Sequence, residues 1–293
     1  MNRIVVRNLK LYFRDKTSVF FSLLAVLIVI ALYILFLAQL QIDTVTEATN
    51  GVLEEDKISY LINSWILAGL LSITTVTSTL GAYGSMVDDR EKRKNMDFKS
   101  SPLSPWEYPI AQLISAFIIG AVISIIAFIT YAIYIYISTG YAFSIEQIIK
   151  CILLILISTL MSAGFMGFIV AMLKTNSSFA SISFVIGTVI GFLNGLYVPL
   201  GALPTAVQTA VKCLPFGHVA SLFRLVLTSG SVSVTFDGMP KSVLDSYLEM
   251  YGINLKWSGA DIPVGISMAY IAFAAIVTLF LFFVIYNKKR NEI

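Results

Sequence analysis

Long stretches without a single charged residue constrain this chain more than any other feature. A bilayer core takes about 20 apolar residues per helix, and six windows of that size occur. Val19 to Leu40 is the first, and Tyr60 to Gly84 the second, inside an uncharged stretch from Ile58 to Val87. The third is Tyr108 to Ile145, long enough to tilt or protrude, and the fourth Cys151 to Leu173. Thr175 to Val211 is also uncharged, but Pro199, Gly201 and Pro204 break it, which places a fifth span at about Phe179 to Tyr197. Val264 to Tyr286 is the sixth. The first run is too long for a signal h-region and no small-residue cleavage site follows it, so it reads as a retained anchor. The expected fold is an all-α integral membrane protein, residues 1–293 forming one transmembrane domain.

Composition agrees: 57% of the 293 residues are hydrophobic, 13% are charged and the net charge is +3, where a soluble domain carries about 25% charged residues. A soluble enzyme, a disordered chain and a nucleic-acid binder are thereby excluded. Two cysteines, Cys151 and Cys213, and a single histidine, His218, supply neither a disulfide framework nor a metal-ligand set.

The bases are unevenly placed, and Lys and Arg favour the cytoplasmic side of a membrane. Fourteen lie before the first run, between the second and third, at Lys174 and in the tail; six, namely Lys57, Lys150, Lys212, Arg224, Lys241 and Lys256, lie in the opposite segments. Both termini are therefore expected in the cytoplasm, beneath a cell membrane.

Ahead of the first run, Arg3, Arg7, Lys10 and Arg14 recur at helical spacing with apolar residues around them. Residues 1–17 thus read as an amphipathic helix lying in the headgroup layer. Such a helix serves as a topology anchor, or it carries force from a cytoplasmic partner into the first span. Between the second and third runs, VDDREKRKNMDFKSSPLSPWE is the one sizeable connection on the basic side, spanning 85–107 with its flanks. Ser104, Pro105 and Glu107 fit a capping box opening the third span, with Ser101 and Pro102 as a rival start. The basic run Lys92 to Lys94 reads as a solvated turn; SPLSPWE reads as a contact for a partner.

Gly187, Gly191 and Gly195 form two consecutive GxxxG units, a face for close helix packing within the chain or between subunits. Beyond Pro199, PTAVQTAVKCL and FGHVASLFRLVL are too short to cross a bilayer, and within 198–262 they read as a re-entrant hairpin followed by an outer loop. Lys212, His218 and Arg224 fall in the hairpin. A charge at the bilayer centre costs about 2.5 to 3.5 kcal/mol, so these groups anchor at headgroups or line a wet exit as a gate.

NLKLYFRDKTSVFFSLL, then REKRKNMDFKSSPLSPWE, then NGLYVPLGALP, in this order relative to six runs, together resemble the type 2 ABC-transporter permease family over essentially the whole chain. The resemblance implies a coupling helix at about Asp89 to Ser101 that docks on a separate ATPase subunit, with Asp89, Glu91, Met96, Phe98, Pro102 and Leu103 as contact residues. Lys92 to Asn95 stand where the family often carries glycine and threonine. It also implies two permeases paired along their first and fifth spans, which favours the glycine face as a subunit contact, and two ATPase copies holding ATP and Mg. The chain itself has no Gly-Lys pair, hence no GxxxxGK[ST] loop for phosphates, and no cofactor of its own is expected. The resulting expectation is the permease subunit of an exporter of amphipathic or lipid-associated cargo, such as a drug, an antimicrobial peptide or a lipid-linked molecule. The rival is a secondary transporter or channel, which would place ionisable residues inside the spans; none of the seventeen acids lies in one.

Overall fold

The computed structural model describes residues 1–16, 54–94, 104–257 and 259–291, with isolated positions at 19, 31, 42, 43, 46 and 96. The first expected span, Val19 to Leu40, lies almost entirely outside the described residues. The remaining five have counterparts in helices. α1 (Asn2–Arg14) comes first; α2 (Glu55–Ala82) runs on into α3 (Gly84–Glu91); α4 (Glu107–Thr139), α5 (Ile145–Ala171) and α6 (Asn176–Leu193) follow. Then come the short α7 (Thr205–Cys213), α8 (Pro215–Leu227), α9 (Ser229–Thr235) and α10 (Lys241–Met250). A two-stranded antiparallel ribbon, β1 (Lys256–Trp257) and β2 (Ala260–Asp261), precedes the long α11 (Val264–Asn291). Among the described residues five helices are long and apolar enough to cross a membrane, six if the bent pair of α7 and α8 is one span.

α2 is the centre of the bundle. Most of its residues are buried, including Trp65, Leu61, Ile62, Ile66 and Leu67 at 0% exposure, and α4, α5, α6 and α8 pack around it. Several of its hydroxyls are satisfied on carbonyls one turn back, such as Thr74 on Leu70 at 2.7 Å and Thr79 on Thr75 at 2.8 Å. Such small hydroxyl residues allow close helix approach where hydrophobic driving force is absent between lipid-bathed helices. Between α2 and α5, Gly120 of α4 faces the γ-methyls of Thr79 and Thr159; a β-carbon there would lie 2.6 and 2.7 Å from them.

Local chemistry sets the ends of the helices. α4 stops where Gly140 takes a left-handed φ of 74°. α5 opens with a capping box, the Gln147 amide donating to Ser144 Oγ at 3.2 Å and the Ser144 amide to Gln147 Oε1 at 2.9 Å. Three helix ends differ from the sequence expectation. No capping box opens α4: Pro105 and Trp106 form a turn, the Glu107 amide donates to the Ser104 carbonyl at 3.0 Å, and the Glu107 carboxylate is drawn instead to the chain's amino terminus. α6 ends at Leu193 because Asn194 and Gly195 turn the chain, Gly195 with φ of 62°. Asp89 and Glu91 belong to α3, which continues α2, and the chain turns only at Lys92 to Lys94, with Arg93 at φ 56°.

Two ends of the bundle can be told apart. α2 with α3, α5 and α11 finish at one end, where α1 lies and where α4 and α6 begin; Arg90 reaches the last carbonyls of α5 there, and Tyr108 stacks on Tyr286. This is the base-rich end. At the far end Tyr60 of α2 stacks on Tyr141 beyond α4, and α8 finishes beside the first turn of α5.

Candidate functional site

The base-rich end carries a polar clamp. α1 presents Ile4, Val5, Asn8 and Tyr12 to the bundle and leaves Arg3, Lys10 and Arg14 exposed. Arg7 turns inward. Its guanidinium grips the Asp89 carboxylate through two bonds, 2.7 Å to Oδ2 and 2.5 Å to Oδ1, the fork geometry that makes arginine–carboxylate pairs strong. Asp89 is 1% exposed, and the Tyr108 hydroxyl donates to it at 3.2 Å. The hydrogen bond to Asp89 raises the Arg7 pKa above its ordinary value, against the opposing effect of burial. Asn8 Nδ2 donates to Ser115 Oγ at 3.2 Å, and the Met1 amine pairs with Glu107 at 2.7 Å. α1 is thus fastened at three points to α3 and α4.

The other side of α3 is fastened as well. Glu91 accepts a hydrogen bond from Asn176 in the first turn of α6. Arg90 donates to the Ala171 carbonyl at 3.1 Å and to that of Leu173, serving the orphaned carbonyls at the end of α5. Asp88 pairs with Lys92 at 2.7 Å and Lys94 at 3.6 Å. Two acids singled out in the sequence as partner contacts therefore point into their own chain, Asp89 toward α1 and Glu91 toward α6. Met96 is 41% exposed. Phe98, Pro102 and Leu103 lie outside the described residues.

The far end is built around Arg224. It projects from α8 into the interior, 2% exposed, donating to the carbonyls of Asn194 at 2.5 Å, Gly195 at 3.0 Å and Gly252 at 3.4 Å, and lying 4.9 Å from the Trp65 ring centroid. The positive φ of Gly195 and Gly252 turns those carbonyls toward it, and a β-carbon at Gly252 would lie 2.9 Å from both Arg224 and Leu200. Trp65 Nε1 donates to the Tyr251 carbonyl at 2.8 Å. Arg224 therefore pins the turn after α6 and the turn after α10 onto the central helix.

α8 lies at 89° to α7. Its start packs against Phe165 of α5 at 5.0 Å between ring centroids, and its end is held by Gln147 Nε2, which donates to the Val226 carbonyl at 3.2 Å and to Ser229 Oγ at 3.1 Å. His218 spans two partners, Ser267 Oγ at 3.0 Å and the Lys212 carbonyl at 2.9 Å, and packs on Tyr270. Lys212 and Arg224 do not converge: the Lys212 side chain lines a surface cleft with Glu249 and Lys256, whereas Arg224 is in the core.

The three glycines do not form one continuous helix face. Gly187 lies open on α6, the Tyr197 ring occupies the space a Gly191 side chain would need, and Gly195 lies past the helix end. α6 itself is largely uncovered, with Phe184 76% and Val185 56% exposed. Sequence spacing missed the Asp89 clamp, the Arg90 cap and the Arg224 cage. A lone base among apolar residues of α8 was the available signal for the last; nothing in the spacing of Arg7 and Asp89, eighty-two residues apart, announces the first. No group of three or more histidine, cysteine, aspartate or glutamate side chains able to hold a metal occurs among the described residues.

A predominantly helical chain whose described residues include five or six apolar helices of membrane-crossing length is a polytopic membrane protein. The family model described as ABC-2 type transporter matches residues 2–228, and the chain belongs to that family. It is thereby a transmembrane subunit of an ABC transporter, a class in which ATP is hydrolysed by a separate ATPase. No match was found among curated proteins.

Proposed function

We propose that this chain is the permease of an ATP-driven exporter that moves an amphipathic or lipid-associated molecule outward. It crosses the plasma membrane six times with both termini in the cytoplasm, the first crossing formed by Val19 to Leu40 and the other five by α2 continued in α3, α4, α5, α6 and α11. α7 and α8 form a re-entrant hairpin from the outer side; their right-angle bend and the packing of α8 between α5 and α11 support this. Two ATPase copies, carrying ATP and Mg, dock against the segment after α3, which includes Met96, Phe98, Pro102 and Leu103. A second permease, identical or related, packs on the exposed face of α6 around Gly187.

The match of residues 2–228 to the ABC-2 type transporter family carries this reading. The geometry adds a route for force. Motion imposed on the loop reaches α3, and α3 is tied to α1 through Arg7 and Asp89 and to α6 through Glu91 and Asn176. Lys212, His218 and Arg224 hold the outer hairpin rather than forming one cationic gate. Pull-down from membranes with the ATPase subunit tests the reading: replacing residues 96 and 98–103 with a Gly-Ser linker abolishes recovery of the ATPase while the chain still inserts. Undiminished recovery, or uphill transport by the purified chain alone, overturns it.

A further inference from the structure

We propose that the groove between the start of α4 and the end of α11 seats one anionic glycerophospholipid. The open groove has a volume of about 580 Å³ and is lined by Trp106, Ile110, Phe280, Phe283, Val284, Asn287 and Lys288. Its walls are exposed hydrocarbon: Phe280 is 66% exposed, Trp106 45% and Val284 45%. The Trp106 ring meets Phe283 edge-on at 5.9 Å between centroids, which fixes one wall. On two helices that cross a membrane, a cleft of this composition is filled by an acyl chain, because water in it would find almost no polar partner.

The mouth selects the headgroup. Lys288 lines the groove and is exposed, and the sequence continues with Lys289 and Arg290 before the acid Glu292. The nearest carboxylate of the α4 start, Glu107, is already neutralised by the Met1 amine at 2.7 Å. Trp106 is a residue suited to the headgroup boundary, with an apolar ring body and a polar N–H. The groove lies at the base-rich end of the bundle, where Arg3, Lys10 and Arg14 of α1 are exposed. A phosphodiester carrying net negative charge at Lys288, with one acyl chain against Phe280 and Val284, satisfies both parts of the site, whereas a zwitterionic headgroup offers the same phosphate but brings a quaternary ammonium to the basic end, cancelling the net attraction. The site needs the chain to be embedded in lipid and is independent of the ATPase and of the cargo.

The test uses tryptophan emission from the full chain. Of three tryptophans, Trp65 is 0% exposed inside the bundle and Trp106 borders the groove, so Trp257→Phe leaves Trp106 as the lipid-accessible emitter. The chain is reconstituted in phosphatidylcholine vesicles containing brominated phosphatidylglycerol or, at the same mole fraction, brominated phosphatidylcholine. Quenching is expected to report association of the glycerol lipid about fivefold tighter per base engaged. The preference disappears in Lys288→Gln, Lys289→Gln, Arg290→Gln, and shrinks in about 0.5 M salt, as screening shortens to a few ångströms. Equal quenching by the two lipids overturns the proposal, and so does a preference that survives the triple substitution, or quenching by neither lipid. Co-flotation of the chain with vesicles reports insertion separately, so a chain outside the bilayer is distinguished from a groove without headgroup preference.

Discussion

Breaking the clamp between α1 and α3 gives the sharpest test of how this bundle is tied. Arg7→Met removes a guanidinium that makes bonds of 2.7 and 2.5 Å to a carboxylate whose side chain is 2% exposed. Removing one partner of a buried pair costs about 3 to 5 kcal/mol, because a charge is left without compensation. The Arg7 side chain is itself 30% exposed, so water softens the loss and the lower end, about 3 kcal/mol, applies. Asp89→Leu alone strands a guanidinium that can turn to water, and costs about 1 to 2 kcal/mol, mostly its share of the lost hydrogen bonds. Removing both leaves no unpaired charge, so Arg7→Met with Asp89→Leu costs about 1 to 2 kcal/mol, less than the sum by about 3 kcal/mol. Denaturant unfolding of the four proteins in one detergent measures this cycle. Strict additivity, or an Arg7→Met loss below about 0.5 kcal/mol, would refute the reasoning, since surface pairs lie in that range.

Three further outcomes follow from the geometry. Arg224→Lys does not restore the stability lost in Arg224→Met, about 3 kcal/mol in either by unfolding in detergent, because an ammonium cannot reach the carbonyls of Asn194, Gly195 and Gly252 together. Gly120→Ala costs about 1 to 3 kcal/mol by the same measurement, since its β-carbon meets the Thr79 and Thr159 methyls at 2.6 and 2.7 Å. Gly187→Leu, at an open position, weakens crosslinking between permeases and leaves the melting temperature unchanged; Gly191→Leu lowers the melting temperature through Tyr197 of its own chain, which makes Gly187 the proper site for testing the subunit contact.

The class of this protein was legible because lipid imposes a simple rule on sequence: uncharged runs of a fixed minimum length, with bases crowded on one side. That rule located the counterparts of α2, α4, α5, α6 and α11, and the prolines and glycines after Leu193 marked off the short helices α7 and α8. Periodicity likewise identified α1, since a basic stripe on an apolar helix is visible in thirteen residues. What periodicity cannot carry is the choice of partner across the fold. Arg7 belongs to the stripe by spacing, yet it alone of the four bases turns inward, because Asp89 arrives beside it only when α3 and α4 are packed. Gly195 completes a glycine pattern by spacing, yet it leaves the helix, because its left-handed turn offers a carbonyl to Arg224. Sequence by itself determined that the chain is a bundle for lipid and which end is basic, since both depend on residue type along the chain. Tertiary structure alone decided which charges serve the bundle and which remain for partners, since burial and pairing depend on residues brought together from distant parts of it.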